Sequence, residues 1–192
     1  MIDTATPFAT LSSAPDVELE TERLRLRPPV ADDAVRIAAL VTPEVSRWMA
    51  SWPSPCTVDF VADRIEKARA ALAEGRALPL VIDLAGGEAA IGMVEAFLSR
   101  DDPGRVTLGF WLGEGFHGRG YMTEAVRAVL RHLARDPAVR VIDGGAQGAN
   151  AASQGVMTKL GMRPVGTRMI YASARACDEP CEFYEIEAAA LL

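Results

Sequence analysis

Disulfides and clustered metal ligands are what this 192-residue sequence is short of. Its three cysteines are Cys56, Cys177 and Cys181, and an odd number excludes a fully paired framework. Cys177 and Cys181 are poorly spaced as a metal pair, and the only histidines are His117 and His132, so no metal is expected. Reduced thiols suit a cytoplasmic setting. No apolar run is long or continuous enough for a membrane helix, and the N-terminal stretch lacks the charged-then-apolar pattern of a secretion signal. A basic excess is missing as well: the net charge of −6 argues against non-specific nucleic-acid binding. There is no G-x-x-x-x-G-K-[ST] phosphate loop, and Gly118-Arg119-Gly120 is followed at the next glycine position of a dinucleotide fingerprint by Thr123.

What is present suits a globular chain: 49% of residues are hydrophobic and 24% charged. Residues 1–16, rich in Thr, Ser, Ala and Pro, are expected to be loosely ordered, and residues 17–192 to form a single domain. The most informative stretch is 109–125, where an apolar strand runs into a glycine-rich loop and then an amphipathic helix. Gly118 and Gly120 leave little side-chain bulk over backbone N–H groups at a helix N-terminus, where the first amides lack intrahelical partners and the macrodipole is positive. That suits a phosphate, although a plain tight turn fits the glycines equally.

Periodicity places the other elements. Residues 22–27 alternate as a half-buried strand, ended by Pro28 and Pro29. Asp32 and Asp33 open a helix with Ala34, Ile37, Ala38 and Val41 on one face, and a loop over 48–55 holds Trp48 and Trp52. Thr57 caps a second helix that ends before Gly75. Strands follow over 78–84, 90–98 and 106–112, the last apolar enough for burial on both faces. The glycine loop leads into a helix with Met122, Ala125, Val126, Val129, Leu130 and Leu133 on one stripe. A short strand over 139–142, a helix over 150–160 stopped by Gly161, and strands over 163–170 and 182–187 complete the chain. The order is β-α-α-β-β-β-α-β-α-β-β: an α/β (α+β) domain with a mixed, mainly antiparallel sheet flanked by helices.

Four segments, in order, resemble the GNAT superfamily of acetyl-CoA-dependent N-acetyltransferases, and within it the branch that acetylates ribosomal-protein N-termini. They are Thr21-Glu22-Arg23-Leu24-Arg25-Leu26-Arg27-Pro28 with Asp32-Asp33-Ala34; Pro43-Glu44-Val45 with Trp48; residues 110–125; and Asn150-x-x-Ser153-x-x-Val156-x-x-Lys159-Leu160-Gly161-Met162. Three departures stand out: His117 where the loop usually begins with Arg or Gln, Met122 where Gly or Ala is usual, and an unusually glycine-rich segment over 143–148.

The resemblance implies acetyl-CoA as cosubstrate. Its pyrophosphate would sit on the backbone of the loop and first helical turn, residues His117, Gly118, Arg119, Gly120, Tyr121, Met122 and Thr123, with Arg119 either adding a charged contact or remaining a solvated loop arginine. The pantetheine arm would pair with the strand end at Trp111 and Leu112, and the Leu112 N–H would polarise the acetyl carbonyl. Ser153 would stand near the sulfur and Asn150 would contact the cofactor, although both also read as ordinary helix capping. Glu95, a carboxylate interrupting an apolar strand, is the candidate base, with Glu114 behind it and Tyr184 as an alternative proton donor. Trp48 and Trp52 would line the acceptor pocket, with core anchoring or a homodimer surface as competing roles. The expected reaction is acetyl transfer to a primary amine, either a protein N-terminal α-amine or a small molecule. A non-catalytic CoA-binding or regulatory module is the alternative, and a longer acyl chain near Glu95 and Phe97 a variant.

Overall fold

The computed structural model describes residues 17–192; the expectation for residues 1–16 lies outside them. Eight strands form one sheet: β1 (Leu19–Glu20), β2 (Leu24–Arg27), β3 (Ala77–Leu84), β4 (Gly92–Leu98), β5 (Arg105–Leu112), β6 (Val141–Gln147), β7 (Arg163–Ala172) and β8 (Cys177–Glu187). The helices are α1 (Asp33–Leu40), the short α2 (Pro43–Ser46), α3 (Val58–Ala73), α4 (Tyr121–Leu133) and α5 (Ala151–Lys159). The expected order is present, with β1, α2 and two 3₁₀ turns added.

The caps read from the sequence recur. The Thr57 side chain accepts from the Phe60 N–H at 3.2 Å, and Gly75 and Gly161 take φ of +66° and +83° at helix ends. Asp33 also serves tertiary structure. Its carboxylate accepts both Nη groups of Arg27 at 2.8 Å, while Arg27 also grips Asp83 of β3 from Nε at 2.7 Å. The α1 N-terminus is thereby fastened to β2 and β3.

Strand order is β1-β2-β3-β4-β5-β6-β8-β7, and every pairing is antiparallel except β5 with β6. One sheet face packs on α4 and α5 through Leu80, Val94, Leu108, Val126, Val129 and Met157. The other packs on α1 and α3 through Ile37, Val61, Ile65, Val81, Met93 and Trp111.

The β5–β6 pairing stops early. It runs from Arg105 opposite Val141 to Leu108 opposite Gly144, although β5 continues to Leu112 and β6 to Gln147. Two expectations are corrected here. Strand β5 is not buried on both faces throughout, because Gly109 and Phe110 flank the opening and stay half exposed. The segment over 143–148 is mostly strand, displaced from the expected 139–142. Gly145 faces the Phe183 ring, and a Cβ there would stand 2.8 Å from it, so the glycine lets the ring lie against β6.

The rung before the last, Thr107 opposite Asp143, is held electrostatically. Asp143 is fully buried. It accepts from Thr107 Oγ1 at 2.7 Å, Arg105 Nη1 at 2.9 Å and Arg168 Nη1 at 3.4 Å, and Arg105 also reaches Glu185 at 3.0 Å. Arg105→Met would leave the buried carboxylate with Arg168 and Thr107, and is expected to cost about 3–5 kcal/mol in urea unfolding. Asp143→Asn should cost less, because Arg105 keeps Glu185; the reverse ranking would contradict this account.

Candidate active site

Beyond Leu108 and Gly144 the parted strands enclose a cleft of about 940 Å³ that reaches both faces of the sheet. Its position, at the carboxyl ends of two neighbouring parallel strands with no sheet bonds between them, is where open α/β sheets bind ligands. Register decides which backbone groups face it. The Gly113 N–H donates to the Ile91 carbonyl at 3.0 Å, so odd-numbered residues of β5 bond to β4. The amides of Phe110 and Leu112 therefore point away from β4 toward the opening. The Leu112 carbonyl is already engaged: it accepts from His117 Nε2 at 2.9 Å, which requires the proton on that nitrogen.

On the α4 side lie Gly118, Gly120, Tyr121, Met122 and Thr123, with Asn150 and Ser153 of α5 across from them. Gly118 and Gly120 have φ of +74° and +80°, a left-handed backbone that disfavours any side chain. Gly120 is the N-cap of α4 and contributes no side-chain cap, so the first amides of the helix are left for a ligand. Gly113, Gly115 and Gly118 do stand at G-x-G-x-x-G spacing, but a 3₁₀ turn, Glu114–Phe116, occupies that stretch and the helix begins only after Gly120, so this is not a dinucleotide turn.

The loop is braced from the turn between β1 and β2. Glu124 in the first turn of α4 accepts from Thr21 Oγ1 at 2.6 Å, the Arg23 N–H at 3.0 Å and Arg23 Nε at 2.7 Å. Arg23 also donates to the Arg119 carbonyl at 3.1 Å and lies over the Tyr121 ring at 4.8 Å. Burial opposes the Glu124 charge, yet the bonds from Thr21 and Arg23 together hold its carboxyl below the ordinary value.

On the α3 side Glu95 stands opposite Gly109 and is 9% exposed. Burial pushes its carboxyl above the ordinary value, against the pull of Arg64 at 3.7 Å. Arg64 lies over the Trp52 ring at 4.6 Å, and Trp52 meets Trp111 edge-on at 5.5 Å. Trp48 and Trp52 both line the cleft, but Trp52 is 4% exposed and is also a core anchor.

The structure thus gathers most of the expected residues into one cleft and leaves out three. Arg119 is exposed and engages Arg23 through its carbonyl, Glu114 bonds Thr42 outside, and Tyr184 packs on the main core. Asn150 is a helix cap, its side chain accepting from the Ser153 N–H at 3.1 Å, and it also faces the cleft. Sequence reasoning missed Arg64, Gln147 and Phe183. Arg64 had a readable signal, an arginine beside the Val61–Ile65 stripe of α3; the other two become site residues only through the parting of β6.

Residues 23–163 match the acetyltransferase (GNAT) domain family model. The chain belongs to the GNAT acetyltransferase family. No curated protein matches it in sequence. Similar solved structures include Mycobacterium smegmatis RimJ in complex with CoA-disulfide, with TM-score 0.78, 21% identity, and coverage of 93% of this chain and 90% of that one. Microcin C7 self immunity acetyltransferase MccE in complex with acetyl-CoA and AMP gives 0.76 at 16% identity, covering 87% and 93%. RimL, the ribosomal L7/L12 alpha-N-protein acetyltransferase in complex with coenzyme A, gives 0.75 at 17%, covering 89% and 98%. At these identities the likeness is one of fold. Among the described residues no group of three or more His, Cys, Asp or Glu could hold a metal.

The brace on α4 has a pH signature. A folded value below the ordinary 4.5 means that Glu124 contributes stability above that value and loses it as the pH falls through the folded one. Protection of the Glu124 to Val126 amides against hydrogen exchange, relative to their intrinsic rates, should fall over that acid range, and Glu124→Gln should abolish the dependence. An unchanged acid limb in the variant would assign it elsewhere.

Proposed function

We propose that this protein is an acetyl-CoA-dependent N-acetyltransferase, one domain over residues 17–192, that acetylates a primary amine directly in a ternary complex. The observation carrying this reading is the parted cleft itself. It joins an amide-lined helix N-terminus and a free β5 edge on one side to a buried carboxylate on the other.

The two left-handed glycines fit a pyrophosphate, because a Cβ-free loop lets it approach the amides of residues 118–123. Acetyl-CoA, when bound, supplies the acetyl group as an activated thioester. The free amides of Phe110 and Leu112 offer the strand edge for its amide-bearing arm, and the Leu112 N–H faces negative charge developing on the acyl oxygen, typically worth about 3–4 kcal/mol per donor. His117 keeps that strand end in place through the Leu112 carbonyl. Glu95 takes the proton from the incoming ammonium, a role its raised affinity for protons suits. Ser153, half-buried in the first turn of α5, donates to the departing sulfur.

A protein N-terminal α-amine is the leading acceptor. With pKa about 8 against about 10.4 for lysine, it yields the neutral nucleophile more readily. RimJ and RimL among the similar folds support this class, and small-molecule amines follow. No helix among the described residues is long and apolar enough to cross a membrane.

Calorimetric titration should give micromolar-range binding of acetyl-CoA and none of ATP, and Gly120→Val should weaken binding on the order of tenfold through strain in its left-handed backbone. Absent binding by the folded protein would overturn the cofactor reading. Binding without transfer to any of a broad amine panel would favour the CoA-binding module. Ser153→Ala should lower turnover about a hundredfold with little change in acetyl-CoA affinity. Unchanged turnover would return Ser153 to an ordinary position in the first helical turn.

A further inference from the structure

The acceptor end of the cleft is spanned by a polar bridge. On one side is the loop over 47–52, anchored to the core by Trp52 and closed on itself by Ser46 Oγ donating to the Trp52 carbonyl at 2.7 Å. On the other are the end of β6 and the tip of the β7–β8 hairpin. Arg175 at that tip donates from Nε and Nη2 to the two oxygens of Glu179 at 2.6 and 2.7 Å. Its Nη1 reaches the carbonyls of Met49 at 3.2 Å and Ser46 at 3.4 Å. The adjacent Ala174 N–H donates to the Ala50 carbonyl at 3.0 Å. Gln147, the last residue of β6, donates to Glu179 at 2.6 Å and to the Arg47 carbonyl at 3.2 Å.

These bonds cross the gap where β5–β6 pairing has ended, so they tie walls that no sheet bond between those strands holds together. We propose that this Arg175–Glu179–Gln147 staple sets the width of the acceptor mouth and makes Arg175 a specificity-determining positioning residue, admitting amines on slim, extended segments and rejecting bulky ones. The proposal rests on the acetyltransferase reading given above. Arg175 does not line the cleft; it acts by holding the carbonyls of the loop that carries Trp48 and Trp52. The role needs a planar fork that spends some donors on the carboxylate and keeps others for two carbonyls, which the point charge of lysine cannot supply. The bonds from Arg175, with Gln147 and Cys177 assisting, hold the Glu179 carboxyl below its ordinary value, so the pair stays charged at neutral pH. The same wall carries Cys181, two residues from Glu179, which faces the cleft and reports on access without any reaction being required.

The test compares wild type with Arg175→Met and Arg175→Lys, using peptides that begin with glycine or with tryptophan. In Arg175→Met the tryptophan-to-glycine ratio of kcat/KM should rise about tenfold, with acetyl-CoA affinity unchanged, and Arg175→Lys should fall between the two. A ratio that does not move overturns the proposal. Should wild type acetylate neither peptide, the peptide-acceptor reading fails, and the staple is then judged by thiol labelling in a Cys56→Ser, Cys177→Ser background. The rate of Cys181 modification by a dye-bearing maleimide relative to iodoacetamide should rise about tenfold on Arg175→Met. An equal ratio in both proteins overturns it.

Discussion

Everything proposed for this protein depends on the place where β5 and β6 stop pairing. A parallel pair that held to its ends would leave no space between Leu112 and Gln147. Asp143 keeps the strands together up to the last rung: a fully buried carboxylate must be met by charge and hydrogen bonds, and Arg105, Arg168 and Thr107 supply them. Beyond that rung, Phe183 lies against Gly145 on one wall and Trp111 packs among Trp52 and Met93 on the other, so each strand follows its own core. The amides that would have paired across the gap become free donors inside a cleft.

The two sides of that cleft differ in their electrostatics. On the α4 side, partial positive charge comes from a helix N-terminus whose position is set by Glu124, Thr21 and Arg23, so the turn between β1 and β2 supports a loop about a hundred residues further along the chain. On the α3 side, desolvation dominates: Glu95 is buried against tryptophans with Arg64 near but beyond hydrogen-bonding distance. The proposed anion binding and proton acceptance would therefore occupy separate environments on opposite faces of the sheet.

Much of this was legible in the sequence, because many of its signals are local. Thr57 and Asn150 cap the helices they precede, Gly75 and Gly161 end helices in left-handed conformations, and the stripe from Met122 to Leu133 forms one buried helix face. The glycine loop was legible for the same reason, since its geometry lies within a few consecutive residues. What was misjudged involves partners distant in sequence. The strand expected over 139–142 instead continues through the glycines to Gln147, where Phe183 uses the space at Gly145. The bond from Arg23 to the Arg119 carbonyl is likewise absent from any local pattern.

The sequence by itself determined most of the elements, their order and the glycine loop, because helix and strand periodicity, caps and glycines act over distances of a few residues, and its four resembling segments pointed to the family. Only the tertiary structure decided how those elements become a site. It set the rung at which β5 leaves β6, turned the Leu112 amide into the opening, paired Glu95 with Arg64, and brought Arg175 to the carbonyls of a loop more than a hundred residues away. Those outcomes depend on which buried charge and which ring meet across the sheet, and a chain read one residue after another does not contain that information in local form.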